Sequence, residues 1–366
     1  FLCSYNLKLC FISNLPSLVP SYHINYFNKS QHIRPMPEFK KIDKAKFYHL
    51  LEEMRRIQKL FYQKFNIDDL WSNSKFTEVI IANSLNHKMI PGHSGSRDAQ
   101  DYQGNIYEYK HYKKNSSNHS WTFNDFSETT IEKLKQTKSV IFAHLNDDEF
   151  PPYFDKYIEG SGFQISQYLT RETKKILNKR KMINLSAKQL SERENLLWKQ
   201  VEKNSFESGP YKKELNEIFT FAESLERLTN VKNLLTSNKI WEQIVAIELD
   251  HNINSEQGGR AGAHDAFDQN NNEFEYKVYS GNSWGFQDIS DEVLRKYEQI
   301  DAFILATVDK KKITVNKIFK VKPKFAIPIL RRKRDLRIKN SNKPLRRFQE
   351  SLTMRDLNEI NAEKLL

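Results

Sequence analysis

Cysteine is scarce in this chain of 366 residues, which has two, Cys3 and Cys10, both near the start. A disulfide framework or a cysteine-based metal site in the body of the protein is therefore excluded. A reducing, cytoplasmic setting is expected. Long apolar runs are also lacking, because polar residues interrupt the apolar ones within positions 1–20. A membrane-spanning helix needs about 20 apolar residues, so we expect no membrane partner.

The chain also lacks a nucleotide-binding signature. No G-x-x-x-x-G-K-[ST] segment is present, which argues against a P-loop ATPase or helicase. The first methionine is Met36, and the charged pattern of a soluble protein begins just after it. We expect residues 1–36 to be a tail that is disordered or not native, and we exclude them from fold reasoning.

What the chain does have is positive charge. It contains 58 Lys and Arg against 46 Asp and Glu, a formal net charge of +12. Aromatic residues make up 12%, which distinguishes it from a disordered polycation. A folded basic protein of this kind indicates a polyanionic partner, most often nucleic acid. The alternative is a compositional bias toward Lys that implies no partner.

The sequence contains an internal repeat. Five motifs recur in the same order with an offset of 163 to 167 residues. The pairs begin at Ser74 and Asn238, Asp98 and Asp265, Asn105 and Asn272, Ser120 and Ser283, and Leu185 and Leu352. A unit the size of one domain is therefore duplicated. We predict a first repeat at 37–190, a helical linker at 191–232, and a second repeat at 233–366 with a basic C-terminal region.

Each repeat predicts the same order of elements. Helices are expected near 76–85 and 240–249 from their apolar spacing. A hairpin follows, then a helix capped by Ser127 or Ser290, then an apolar strand at 139–143 or 302–306 typical of a sheet centre. The predicted fold class is α/β (α+β), with two tandem domains, each a mixed sheet flanked by helices.

The second strand of each predicted hairpin carries Glu-Tyr-Lys. Alternate side chains of a strand share a face, so Glu108 lies beside Lys110, and Glu275 beside Lys277. The hairpin turn brings an aspartate next to each glutamate. Register decides which one, because a slip of one residue changes the face. The candidates are Asp98 or Asp101 in the first copy and Asp265 or Asp268 in the second.

A glutamate on the preceding helix, an aspartate, and ten residues later Glu-x-Lys in a strand resemble the PD-(D/E)xK nuclease superfamily. The match occurs twice, as Glu78, Asp98, Glu108 and Lys110, and as Glu242, Asp265, Glu275 and Lys277. The chain departs from the motif at the proline, where Arg97 and His264 precede the aspartates. The resemblance implies restriction-endonuclease-like domains in both repeats.

The resemblance also implies roles for these residues. Asp98 with Glu108, and Asp265 with Glu275, would be Mg²⁺ ligands, which fits the preference of this ion for oxygen. Lys110 and Lys277 would be the catalytic lysines, and Glu78 and Glu242 helper carboxylates. The chain looks like a type II restriction endonuclease that hydrolyses double-stranded DNA as a monomeric pseudo-dimer. Such an enzyme implies a cognate DNA methyltransferase in the same system.

Other functions remain open from sequence. A nicking or repair nuclease with one active repeat is one, and a tandem DNA-binding protein without catalysis is another. Basic runs near the end of each repeat, 171–181 and 331–347, suit phosphate contacts or are solvated helix faces. The Gly-rich segments 92–95 and 258–262 are expected near DNA. Trp121 and Trp284 fit the core better than a DNA surface.

Overall fold

The structure is a computed structural model. It describes residues 39–68, 70–71, 75–91, 97–116, 118–124, 127–148, 151–174, 176, 182–202, 205–232, 234–235, 239–254, 264–340 and 349–366. The expected tail at 1–36 and both Gly-rich segments lie outside the described residues. We call residues 39–202 the first half and residues 205–366 the second half.

The first half is built on a six-stranded mixed sheet. Its elements are α1 (Lys44–Phe65), α2 (Lys75–Ser84), β1 (Lys88–Met89), β2 (Ala99–Gln100), β3 (Ile106–Lys113), β4 (Trp121–Phe123), α3 (Glu128–Lys135), β5 (Ser139–Asn146), β6 (Tyr153–Ser161), α4 (Gly162–Thr173), β7 (Ile183–Leu185), α5 (Ala187–Glu194) and β8 (Trp198–Gln200). The strand order is β1-β2-β3-β5-β6-β8. Only the β3–β5 pair is parallel, and β4 pairs separately with β7.

The second half repeats this plan. Its elements are α6 (Ser205–Ser208), α7 (Lys212–Thr229), α8 (Lys239–Glu248), β9 (Asn252–Ile253), β10 (Ala266–Phe267), β11 (Glu273–Tyr279), β12 (Ser283–Phe286), α9 (Asp291–Tyr297), β13 (Ala302–Asp309), β14 (Thr314–Val321), α10 (Pro323–Lys339), β15 (Glu350–Thr353), α11 (Met354–Glu359) and β16 (Glu363–Lys364). The strand order is β16-β14-β13-β11-β10-β9, and β11 and β13 are parallel.

Local signals in the sequence explain these elements. The predicted caps are confirmed, because Ser127 accepts a hydrogen bond from the N–H of Thr130 and Ser290 from that of Val293. The apolar runs form β5 and β13, which are buried along almost their whole length. The α/β class with two mixed sheets is thus confirmed. None of the helices in the described residues has both the length and the apolarity needed to cross a membrane.

The correspondence between the halves extends beyond the predicted repeat. Both central strand pairs contain a β-bulge at the same position, after His144 in β5 and after Thr307 in β13. Residues 198–200 were predicted to be helical but form β8, the counterpart of β16. Helix α7, which lies within the predicted linker, occupies in the second half the chain position that α1 has in the first.

One long helix of each half, α1 and α7, contacts the other half. From α1, Tyr48 donates a hydrogen bond to Glu248 on α8 over 3.2 Å. At the start of α7, the hydroxyl of Tyr211 accepts a hydrogen bond from the N–H of Met89 in β1 over 2.8 Å. The two helices also pack on each other, with an Arg56–Glu217 ion pair of 3.1 Å. The halves are therefore interlocked by α1 and α7.

The core has three parts. One large cluster contains apolar residues from α1, α2, α7 and α8 and from the inner faces of both sheets. Two smaller clusters lie on the outer faces, one under α3 and α4 and the other under α9 and α10. Trp121 and Trp284 are 0% exposed, and their indole N–H groups donate to the carbonyls of Ala143 and Ala306. The core interpretation of both tryptophans is confirmed.

Candidate active sites

Strands β3 and β11 place the Glu-Tyr-Lys side chains as the alternation predicts. Tyr109 points into the shared core, where its hydroxyl contacts Nδ1 of His87 over 2.8 Å. Glu108 and Lys110 lie on the other face and are hydrogen-bonded to each other. The Lys110 ammonium stands 5.3 Å from the ring centre of Phe123 in the outer cluster. The first site is thus a charged pair at the edge of an apolar core.

The hairpin register brings Asp98 and Asp265 to the glutamates. Oδ2 of Asp98 accepts a hydrogen bond from the N–H of Tyr109 over 2.7 Å, and Oδ2 of Asp265 one from that of Tyr276 over 2.9 Å. These backbone groups lie between the Glu and the Lys of each strand. The aspartates are therefore fixed next to the Glu-x-Lys face in both halves.

The rival aspartates belong to the hairpin turns. Asp101 accepts hydrogen bonds from the backbone of Gln103 and Asn105 and from the hydroxyl of Tyr107. The hydrogen bonds from Asn105 hold the pKa of Asp101 well below its ordinary value. Asp268 accepts from the backbone N–H groups of residues 270 and 272 in the same way. Both carboxylates are used to close the turn, as such turn aspartates commonly are.

The helix glutamates complete each group. Glu78 is buried on α2 and forms an ion pair with Lys75, one turn earlier on the same helix. The Lys75 ammonium also stands 3.7 Å from Oδ1 of Asp98. Glu242 on α8 is the counterpart of Glu78, and it lines one cavity with Asp265. The structure thus brings all four predicted residues of each site together.

The second site opens into a cavity of about 390 Å³. Its lining includes Glu242, Asp265, Glu275 and Lys277. The hydroxyl of Tyr297, from α9, also lines it and donates a hydrogen bond to Oε1 of Glu275 over 3.3 Å. All four predicted residues of the second site therefore line one cavity.

Burial dominates the electrostatics of the glutamates. Desolvation, with a contribution from Asp98, raises the pKa of Glu78 to about 8 and that of Glu108 to about 7. In the second half, desolvation and Asp265 raise the pKa of Glu242 to about 8. Desolvation also raises the pKa of Glu275 to about 7, against the opposing effect of Lys277. Without a further cation, the glutamates of each site therefore keep their protons to a higher pH than an exposed glutamate does.

The lysines respond in the opposite way. Burial alone would lower the pKa of Lys110, but Glu108 and Asp98 outweigh it and leave that pKa above its ordinary value. Glu275 likewise outweighs burial and raises the pKa of Lys277. Both side chains are therefore ammonium ions at neutral pH. An ammonium donates hydrogen bonds and cannot accept a proton.

One carboxylate oxygen in each site lacks a partner. Oε2 of Glu108 and Oε2 of Glu275 are buried and accept no hydrogen bond from the described residues. A buried anionic oxygen without a partner is costly, and a divalent cation would satisfy it. Nowhere in the described ranges do three His, Cys, Asp or Glu side chains form a ready metal cluster. The donor set that fits Mg²⁺ is two carboxylates, with water and substrate oxygens as further ligands.

Three residues near the sites were not predicted: Lys75, Tyr297 and Lys310. A signal for Lys75 was present, because both halves carry Lys-x-x-Glu at the start of the helix, with Lys239 as its counterpart. Tyr297 and Lys310 have no such signal. They come from α9 and from the turn after β13, and the equivalent first-half positions hold Leu134 and Asp147.

The basic run on α10 is largely neutralised within the protein. Arg331, Arg332, Lys333, Arg334 and Arg337 each form an ion pair with a carboxylate of α9, β15 or α11 or of a residue directly beside them. The most buried is Arg334, which is 8% exposed and pairs with Asp291 over 2.7 Å. These side chains hold the outer layer of the second half together. Residues 175, 177–181 and 341–347 of the basic runs lie outside the described residues.

No protein-family model matches the sequence. No curated protein is significantly similar to it.

Proposed function

We propose that the chain is a Mg²⁺-dependent endonuclease that hydrolyses phosphodiester bonds of double-stranded DNA, with one site in each half. The observation that carries the proposal is the duplicated arrangement of a strand Glu-x-Lys, a hairpin aspartate bonded to the intervening backbone N–H, and a helix glutamate. The two copies share these contacts although 167 positions separate Glu108 and Glu275. Burial of charged groups destabilises the folded state, and here it occurs twice in the same arrangement, which supports a catalytic role.

The residues present fit the proposed ion. Asp98 and Glu108 would hold it in the first site, and Asp265 and Glu275 in the second. Bound there, Mg²⁺ would polarise the phosphoryl group and make a bound water more acidic. The negative charge that the ion requires is available once these carboxyl groups lose their protons.

The lysines have a role that follows from their charge. Because Lys110 and Lys277 are ammonium ions, they would donate hydrogen bonds to the attacking water and to the phosphate oxygens. Each ammonium is already oriented, since it also donates to the backbone carbonyl of the preceding tyrosine, over 3.3 Å in the first site and 3.2 Å in the second. A preorganised donor stabilises negative charge that develops in the transition state. Attack by water forms one P–O bond and breaks the bond to the leaving oxygen, which takes up a proton.

Within this function we propose a type II restriction enzyme of the PD-(D/E)xK kind. The hairpin, helix and parallel strand of each half support restriction-endonuclease-like domains. Two sites in one interlocked chain support a monomer that cuts one strand with each half. A site-specific enzyme of this type would require a cognate DNA methyltransferase to protect the host DNA.

The test is cleavage of supercoiled plasmid DNA in Mg²⁺ by the wild type, by Lys110→Ala and by Lys277→Ala. If each half cuts one strand, the wild type gives linear fragments and each variant only nicks. A variant with both substitutions is the matched control and should be inactive. Circular dichroism of each variant checks that the fold is retained.

The other functions are outcomes of the same experiment. A silent substitution in one half, together with complete loss in the other, would indicate a nuclease with one active repeat. Binding of DNA without any cleavage in Mg²⁺ or Mn²⁺ would refute the nuclease and leave a tandem DNA-binding protein. If the protein neither binds nor cleaves DNA, a nucleic-acid function is excluded.

A further inference from the structure

The turn between β13 and β14 places a cation at the second site. Lys310 lines the cavity that also contains Glu242, Asp265 and Glu275. Its ammonium lies 5.6 Å from the ring centre of Trp241, and among the described residues it has no hydrogen-bond or ion-pair partner. A positive charge at the mouth of a carboxylate site is available to an anionic group of the substrate.

Helix α1 holds this turn in place from the other half. Nε2 of Gln58 donates to the carbonyls of Lys310 and Lys311, over 3.2 and 2.6 Å. Nε and Nη2 of Arg55 donate to the carbonyls of Lys312 and Ile313, over 3.2 and 2.8 Å. Four consecutive carbonyls are thus bound by one helix face. The backbone of Lys310 is therefore fixed before any ligand arrives, which lowers the entropic cost of binding.

In the described part of the first half, the position equivalent to Lys310 holds no cation. The shared strand register and the shared bulge make Asp147 the counterpart of Lys310. Asp147 is buried and accepts a hydrogen bond from the N–H of Asn115 over 2.9 Å. A carboxylate at that position repels an anion, whereas an ammonium attracts one.

The cavity wall next to Lys310 contains a further unused donor. Trp241 is 1% exposed and lines the same cavity, and its indole N–H has no acceptor among the described residues. The equivalent residue in the first half is Thr77, one position before Glu78. The Trp241 ring lies under the Lys310 ammonium, and the attraction between a cation and the indole face helps to hold the ammonium at the cavity.

We propose that Lys310, supported by Trp241, forms a phosphate subsite that is present in the second half only. The subsite binds a phosphate of the DNA backbone next to the one that is cut, and in this it rests on the proposed function. Gln58 and Arg55 act as positioning residues for it. The two sites are thereby unequal, because the position that holds Lys310 in the second holds Asp147 in the first.

The experiment measures binding apart from cleavage. The dissociation constant of a short DNA duplex is determined with Ca²⁺ in place of Mg²⁺, at several salt concentrations, for the wild type and Lys310→Gln. Loss of one phosphate contact lowers the slope of log K against log salt by about 0.9. Lys312→Gln is the matched control, because Lys312 has the same charge in the same turn and does not line the cavity. It should leave the slope unchanged, and Lys310→Arg should restore it.

A second measurement locates the contact. Single phosphates of the duplex are replaced in turn by neutral methylphosphonates. At one position, the loss of affinity seen with the wild type should disappear in Lys310→Gln and shrink in Gln58→Ala. Equal slopes for Lys310→Gln and the wild type, or no position that couples to Lys310, would overturn the subsite. If the wild type binds the duplex but shows no Mg²⁺-dependent cleavage, the proposed nuclease function fails and the subsite is still tested. If the wild type does not bind the duplex at all, the nuclease function and the subsite are both overturned.

Discussion

The hydroxyl of Tyr297 donates a hydrogen bond to Oε1 of Glu275, and the corresponding position in the first half is Leu134, which has no donor. The hydrogen bond favours the charged form of Glu275 and so opposes the effect of burial on its pKa. Glu275 therefore has a hydrogen-bond donor that Glu108 lacks at the equivalent position, although strand and register are the same.

Replacing Tyr297 by Phe should weaken the second site alone. Loss of a hydrogen bond to a carboxylate costs about 1.5 kcal/mol, or roughly a tenfold rise in the Mg²⁺ concentration for half-maximal nicking. The measurement is a Mg²⁺ titration of nicking in the Lys110→Ala background, where only the second site is active. The control is Tyr297→Phe with Lys277→Ala, which leaves only the first site and should show no change. Equal effects in the two backgrounds would contradict a local role.

Substitutions of the two hairpin aspartates should separate the site from the turn. Asp98→Asn should abolish nicking by the first site, tested in the Lys277→Ala background, with little change in melting temperature. Asp101→Asn should lower the melting temperature, because the turn loses charged acceptors, and should leave the nicking rate of folded protein intact. The reverse pattern would assign the metal to Asp101.

Stability of the metal-free protein should fall as pH rises from about 5 to 8. The pKa values of Glu275 and Glu242 in the folded protein, about 7 and about 8, lie above those in the unfolded chain. The folded state therefore binds more protons in this range. The resulting contribution to the free energy of unfolding is complete below about pH 4.5 and is lost as the pH rises through 7 to 8. Thermal unfolding in EDTA checks this.

Glu275→Gln provides the variant for that measurement, because glutamine cannot ionise. Its melting temperature should depend less on pH and exceed that of the wild type at pH 8 in EDTA. Glu292→Gln, at an exposed carboxylate whose pKa is lowered by Lys296, is the control and should keep the slope of the wild type. Parallel curves for all three proteins would show that Glu275 is ionised without metal.

The arginines of α10 should act on stability and not on DNA affinity. Arg334→Met removes donors to Asp291 and to the carbonyl of Ile289, and we expect a loss of about 1–3 kcal/mol in the free energy of unfolding. The salt dependence of duplex binding should stay as in the wild type. A smaller salt slope with unchanged stability would instead place Arg334 on a phosphate.

Much of the fold and of the candidate sites could be predicted because the signals are local. Ser127 caps its helix through the residue three positions on, and the alternation along β3 fixes the faces of Glu108 and Lys110 whatever their surroundings. Constant spacing of duplicated motifs then indicated which carboxylates belong together. The register of the hairpin could not be predicted. It depends on the turn, which is closed by hydrogen bonds from the backbone N–H groups of Gln103 and Asn105 to the Asp101 side chain.

What could not be predicted depends on contacts between distant parts of the chain. Lys310 reaches the second site because α1, some 250 positions earlier, binds the carbonyls of its turn. Strand β8 forms because the edge of β6 is free to pair with it, and its own residues resemble a helix in apolar spacing. The ion pairs of the α10 arginines could not be predicted either, because their carboxylate partners lie on or directly beside three other elements, α9, β15 and α11.

Both halves of the repeat belong to one polypeptide, and α1 and α7 hold them together. In a dimer of identical subunits, every substitution appears in both sites at once. In this chain the two halves are encoded separately, as the pairs Leu134 and Tyr297, and Asp147 and Lys310, show. The sequence of one site can therefore change without a change in the other. If the chain cuts DNA as proposed, its target need not be the palindrome that a twofold axis imposes, because each half can read its own DNA strand differently.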